Sequence, residues 1–324
     1  LGDIVRILGV RVSRDNPTYL EVEVGMGVDL GIVTVDTARV RLRLDEAEPP
    51  QLTKLGASLE IPGTLHGKGV VEITDSGFKG AFDLSVVPHS LRASAVLAVE
   101  SADGVTGVLV GAEVEFPLPI VLGTSGLGIF GFMGGVGVNY ERDEPTGVTT
   151  PALRWLEDQF PRAGNVMAPE GWKLTPGAYA FAAGMLVGTL EGGYVVHLKG
   201  IILIELPGPR LLLIMKADVL KAPPVLNSNQ TAAFLAVLDV DFGRGTITIG
   251  VVAQYEIVSL LKIRVPVTAF FNTRDSNDWF VDLGTYTEPV TISVLDVLSG
   301  VGYLMVHGNG ISPLPTPLAS TGIT

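Results

Sequence analysis

The chain has no cysteine in 324 residues. That absence removes disulfides, thiolate nucleophiles and cysteine-based zinc or iron–sulfur sites together, and it leaves the redox compartment open. Charge is also scarce: 17 % of residues are charged against 47 % hydrophobic, and the mean hydropathy is +0.43. The strands of such a chain have to be covered on both faces or packed against something else. The 22 Lys and Arg are outnumbered by 34 Asp and Glu, for a net charge of −12, with no dense basic cluster to reverse the sign locally. Nucleic-acid binding is therefore excluded. Aromatics amount to 7 %, with three tryptophans, which is poor in carbohydrate-stacking platforms and in the aromatic girdles of an outer-membrane barrel. The N-terminal LGDIVRILGV shows no basic n-region or small-residue cleavage site. It opens inside strand-like sequence, as expected of a segment of a longer chain.

What the sequence has in quantity is period-two alternation over its first 120 residues. In FKGAFDLSV, Phe78, Gly80, Phe82, Leu84 and Val86 alternate with Lys79, Ala81, Asp83 and Ser85. LRASAVLAVE does the same with Leu91, Ala93, Ala95, Leu97 and Val99, and GVLVGAEVEF with Val108, Val110, Ala112, Val114 and Phe116. In TARVRLRLD, Arg39, Arg41 and Arg43 form a wet face opposite Val40, Leu42 and Leu44. Turn chemistry at 15–17 (DNP), 48–50 (EPP), 75–77 (DSG) and 102–104 (ADG) separates these runs and predicts antiparallel hairpins.

Composition divides the chain further. Residues 1–140 read as an amphipathic antiparallel sheet region, and residues 141–176, holding five of the 21 prolines, as a connector. Thr150 and Pro151 start a short helix with Leu153, Trp155, Leu156 and Phe160 at helical spacing, and Pro161 is expected to stop it. A second helix or a strand fits AYAFAAGML at 178–186. Residues 177–310 carry strands apolar on both faces, such as YVVHLKGIILIEL, as central strands are. Residues 311–324 read as a Pro/Ser/Thr-rich tail or linker. The fold class is mostly β, with large curved antiparallel sheets in a sandwich or an open or closed barrel-like form and one or two short helices in the connector.

GLGIFG at 126–131 matches the dinucleotide fingerprint G-x-G-x-x-G, which requires a helix after the glycines. FMGGVGVNYE follows instead, and Gly134, Gly135 and Gly137 would each cost a helix about 0.8–1 kcal/mol relative to Ala. The segment reads as a glycine-laden strand or hairpin, with Phe130, Phe132, Val136 and Val138 on one face and a bend where the sheet curls. Phe116 to Tyr140 is also a stretch without a charge.

Chemistry-bearing residues are sparse. His66, His89, His197 and His307 form no metal-binding pair, and His307 in MVHGNG is the best placed for catalysis. Asp239 and Asp241 share a strand face at i, i+2, as paired carboxylates or cation ligands do. Asp275, Asp278 and Asp282 gather around Trp279 in NTRDSNDWFVDLG without EF-hand spacing. No nucleophile elbow or Walker A motif is present, and no cofactor is called for.

PEGWKLTPGAYAFAAGMLVGTLEGGYVVHLKGIILIELPGPRLLLIMKA, together with GLGIFGFMGGVGVN, resembles the long β-rich microbial proteins of the domain-of-unknown-function 6603 family over residues 110–220. The resemblance implies a segment of a larger β-rich protein and transfers no activity or functional residue. From the residues themselves the leading reading is a non-enzymatic β module. Its apolar sheet face, with Phe82, Leu84, Leu91, Leu97, Val108, Val110 and Val114, packs on other segments of a longer chain or on partner subunits, or holds lipid acyl chains. A hydrolase using Asp239, Asp241 and Asp278 is the alternative, and a membrane β-barrel ranks third.

Overall fold

The computed structural model describes residues 5–14, 18–44, 49–87, 90–148, 150–163, 166–192, 195–219, 234–257, 260–295 and 297–308. His89 and the tail at 311–324 lie outside them. The first half forms β1 (Val5–Ser13), β2 (Tyr19–Asp29), β3 (Val33–Arg43), β4 (Gln51–Ile61), β5 (Leu65–Thr74), β6 (Gly77–Val86), β7 (Leu91–Ala102), β8 (Val105–Val121) and β9 (Leu127–Arg142). After helix α1 (Pro151–Ala163) come β10 (Trp172–Thr189), β11 (Val196–Leu206), β12 (Arg210–Val219), β13 (Phe234–Asp241), β14 (Thr246–Ile257) and β15 (Leu261–Asn272). The chain closes with β16 (Trp279–Leu283), β17 (Val290–Val294), β18 (Leu298–Gly302) and β19 (Leu304–His307).

Among the described residues all nineteen strands belong to one antiparallel sheet, and from β1 to β15 each pairs with the next in sequence. β16 and β17 both pair with β15, and β19 and β18 continue from them. Among the described residues β1 pairs with β2 alone, so the sheet is open rather than closed into a barrel. The C-terminal strands thus extend the N-terminal sheet edge to edge through the β9–β10 ladder instead of folding over it as a second layer.

Register carries the sequence alternation from strand to strand. Gly80 faces Leu97, which faces Val110, and the row continues through Val136, Phe181, Ile204, Leu211, Val240 and Ile247 to Phe271. One face of the sheet is therefore apolar from β5 to β15, and we call it the open face. The opposite face differs along its length. Across β2–β7 it holds ion pairs, Arg39–Glu23 at 2.7 Å, Arg41–Glu21 at 3.0 Å and Lys79–Glu100 at 3.0 Å. From β7 to β14 it is covered by α1 and residues 166–172, and the core lies there: Leu109, Tyr140, Leu203, Leu212, Ile214 and Val237 under Leu153, Trp155, Leu156 and Met167.

α1 starts where the capping signals place it, with the Thr150 carbonyl accepting from the Arg154 N–H at 3.1 Å. It runs on through Pro161 to Ala163, since a proline in the last turn removes only one intrahelical donor. Of the three tryptophans, Trp155 and Trp172 are buried. They meet edge to face at 5.9 Å and donate their indole N–H groups to Gly171 and Val166 carbonyls at 2.7 and 2.8 Å. Two glycines make room for this layer: a Cβ on Gly135 would lie 2.4 Å from Met167 Cγ, and one on Gly250 2.7 Å from Leu153 Cδ2.

Segment 178–186 is strand, within β10, and GLGIFG is strand too, entered from a turn in which Gly126 has φ +75. The expected irregularity is present as register shifts between Glu115 and Ile120 and between Leu186 and Val187. They correct one detail: Phe130 is left without a register partner and is buried, while Phe132, Gly134, Val136 and Val138 share the open face.

Neighbouring residues on β11 separate the two faces energetically. Leu203→Ala, on the covered face, is expected to cost about 2–5 kcal/mol, and Ile202→Ala, on the open face, about 1 kcal/mol or less. Urea unfolding of the two variants measures the difference.

Candidate functional site

Phe82, Leu84, Leu91, Leu97, Val108, Val110 and Val114 all lie on the open face, brought together by the β6–β7 and β7–β8 registers. Between β5 and β15 the strand positions on that face are apolar residues or glycine, apart from the phenols of Tyr179 and Tyr255 and the hydroxyls of Ser101, Thr106 and Thr189, all near its margins. Phe82, Val110, Phe132, Phe181, Met185, Ile202 and Leu213 are 40–47 % exposed. An apolar groove of about 630 Å³ runs over β9–β12, lined by Phe132, Ala183, Met185, Leu198, Ile202 and Leu213 among others. The sequence reading stopped at β8. The alternating set Tyr179, Phe181, Ala183, Met185 and Val187 was legible in β10, but apolar residues on the other face masked it.

The polar chemistry sits on the opposite face. Beside the end of α1's covering layer, Arg142, with 1 % of its side chain exposed, donates Nε and Nη2 to the two Glu205 oxygens at 2.9 and 2.7 Å, and Nη1 to Glu144. Arg210 donates to both oxygens of Asp239 and to Glu144 at 3.0 Å. Burial works against the Arg210 charge, but the hydrogen bonds and charges of Asp239 and Glu144 outweigh it and raise its pKa. A polar cleft of about 760 Å³ opens beside this network. Each of the two candidate carboxylates has a partner: Asp239 accepts from Arg210, and Asp241 from the Arg244 N–H at 2.8 Å.

Asp278 accepts from Asn272 Nδ2 at 2.9 Å, and Asp275 from the Asn277 N–H at 3.0 Å, both within the β15–β16 turn. Asp282 lies on β16, where its Oδ1 is 3.0 Å from His307 Nε2 and the imidazole packs 5.3 Å from the Phe280 ring. Among the described residues no three His, Asp or Glu side chains come close enough to hold a metal ion.

A second polar group lies toward the other end of the covered face. Lys199 Nζ on β11 reaches both Glu113 oxygens on β8 at 2.8 Å. Three strand spacings of about 4.8 Å separate β8 from β11 in a flat sheet. Lys199 is also two residues out of register with Glu113, so the contact requires the sheet to curl toward the helix side. Glu115, two residues on, is pushed up to about 7 by burial and by the adjacent Glu113 charge, against the opposing pull of Lys199 and Arg92.

Two predictions come from these groups. The Glu115 carboxyl, raised above its unfolded value, keeps a proton in the folded state that the unfolded state has released, so stability falls as pH rises from about 4.5 to about 7. Because water partly screens the site, Glu115→Gln is expected to recover only about 1–2 kcal/mol at pH 8 and to flatten that slope in denaturant titrations. Arg142→Met leaves Glu205 without its buried cation and Glu144 with Arg210 alone, and is expected to cost about 3–5 kcal/mol by the same measurement.

A family model described as "Family of unknown function (DUF6603)" matches residues 1–253. No curated protein matches the chain.

Proposed function

The chain belongs to DUF6603, a family of unknown function, and we propose that it acts as a non-enzymatic binding module that holds acyl chains on the open face of its sheet. The observation that carries this reading is the row of apolar side chains crossing β6–β15 without a charge while the opposite face already has its covering layer. A contiguous apolar surface of this extent marks an interaction site in a soluble protein. Acyl chains suit it better than an orienting protein partner. Protein interfaces carry roughly one hydrogen bond per 100–200 Å² to fix register, and the strands lining the groove offer no charged side chain for that purpose. Fluid hydrocarbon needs none.

The same logic assigns the polar residues to scaffolding. The Arg142–Glu205 and Arg210–Asp239 pairs tie β9, β11, β12 and β13 together, and Lys199–Glu113 sets the curl. No observation favours the carboxylate hydrolase reading.

Binding of a fluorescent fatty acid tests the proposal. Ile202→Asp with Leu213→Asp places two charges in the groove at positions already partly exposed, and it is expected to weaken probe binding about tenfold or more, with the circular dichroism spectrum unchanged. Saturable binding to the unaltered protein, lost in the double variant, supports the reading. No binding by the unaltered protein, together with no acyl lipid in native mass spectra of the purified chain, would sink it.

A further inference from the structure

The two rims of the sheet differ in chemistry. The rim carrying the β5–β6, β7–β8, β9–β10, β13–β14 and β15–β16 connections presents Asp75, Asp103, Asp143, Glu144, Arg244 and Asp275. At the other rim, the described turn residues from β2–β3 to β14–β15 include one charged side chain, Glu191. That rim is greasy: Leu30 is 66 % exposed and Ile32 58 %.

Its most prominent feature is the β8–β9 hairpin. Phe116–Val121 run past Arg92–Glu115, the last register pair with β7, and residues 116–132 contain no charge. The tip stands about 10–15 Å beyond β7, given the length of β9 from Leu127 to Gly131. The register shift between Glu115 and Ile120 throws Leu118 outward to 79 % exposure, with Ile120 at 52 % and Val121 at 55 %.

The backbone of the tip is also prepared for an apolar medium. Pro117 and Pro119 flank Leu118 and bring no N–H groups to the bulge. The Leu122 N–H donates to Leu127 O at 2.9 Å, Ser125 Oγ donates to Leu122 O at 2.7 Å, and the Leu190 N–H donates to Gly126 O at 3.1 Å. Unsatisfied backbone groups are what make loops costly in hydrocarbon, and these bonds satisfy several of those at the tip. At its base Phe116 and Phe132 meet edge to face at 5.7 Å.

We propose that the uncharged β8–β9 hairpin tip, centred on Leu118, Ile120 and Val121, inserts into an uncharged lipid surface and sets the open face against it. The proposal rests on the acyl-binding reading above, since the groove over β9–β12 begins at the same hairpin. A zwitterionic surface is the matching partner: the tip brings no cation for anionic headgroups, and a chain of net charge −12 is repelled by them.

Flotation with phosphatidylcholine vesicles tests it. The unaltered protein is expected to float with the vesicles equally at low and high salt. Leu118→Glu with Ile120→Glu, at exposed positions, is expected to reduce flotation about tenfold or more while the thermal transition stays in place, because interfacial binding scales with the apolar area inserted. As a second measurement, the fluorescence added by Leu118→Trp is expected to be quenched by vesicles of brominated phosphatidylcholine. The proposal is overturned by flotation of the double variant equal to the unaltered protein, by binding confined to anionic vesicles and abolished by salt, by no flotation at all, or by a change of oligomeric state as the double variant's sole effect. Fatty-acid binding without vesicles separates the two readings. Retention by the double variant locates its defect in insertion alone, whereas absence from an unaltered protein that still floats sinks the acyl-binding reading and leaves the hairpin.

Discussion

An unbroken antiparallel ladder allows side chains to alternate between two faces without losing step, and the rest of the molecule depends on that constraint. From β5 to β15 each hairpin hands its alternation to the next, so that Leu97, Val110, Val136, Phe181 and Ile204 stand in one row although they come from five strands. A slip of one residue in any ladder would turn every following apolar set to the helix side. A register shift between Leu174 and Tyr179 lies toward the charged rim, and those at Glu115/Ile120 and Leu186/Val187 lie toward the greasy rim. There they re-aim Leu118 and Phe130 without disturbing the rows.

The two faces have different energetic fates. On the helix side Trp155, Leu156, Leu203 and Leu212 lose essentially all contact with water, and burial of large side chains at about 1.5–3 kcal/mol each supplies the stability of the central strands. Glycines at 135 and 250 let the covering layer approach the sheet closely, which trades strand propensity for packing. Further out, where no helix lies, ion pairs such as Arg39–Glu23 and Lys79–Glu100 occupy the same face. Partly exposed pairs of this kind contribute at most about 1 kcal/mol each. They keep that face wet, while the open face of the same strands stays apolar and partly exposed.

Much of this was legible in the residues. Alternation in 78–116 gave the open face residue by residue, and the glycines after 131 excluded the nucleotide-binding helix. Thr150-Pro151 marked the start of α1. Harder to read was which face of the central strands would be covered. Both Leu203 and Ile202 are apolar, and only the placement of α1 and residues 166–172 over one side distinguishes them. The cross-sheet contacts were invisible for a related reason: Arg142–Glu205 and Lys199–Glu113 join residues 63 and 86 positions apart, and a linear pattern holds no trace of curl. Pro161 misled because its cost depends on its place in the helix. The sequence also holds no sign that Arg210, 29 positions away, engages the carboxylate at 239.

The absence of cysteine allows the central claim to be tested at single sites. An environment-sensitive fluorophore on Leu213→Cys, on the open face, and on Asp83→Cys, on the opposite face, is compared before and after addition of phosphatidylcholine vesicles. The account predicts a blue shift at 213 that depends on lipid and no change at 83. Water-like emission at 213 with and without lipid, or the same shift at both positions, would contradict it.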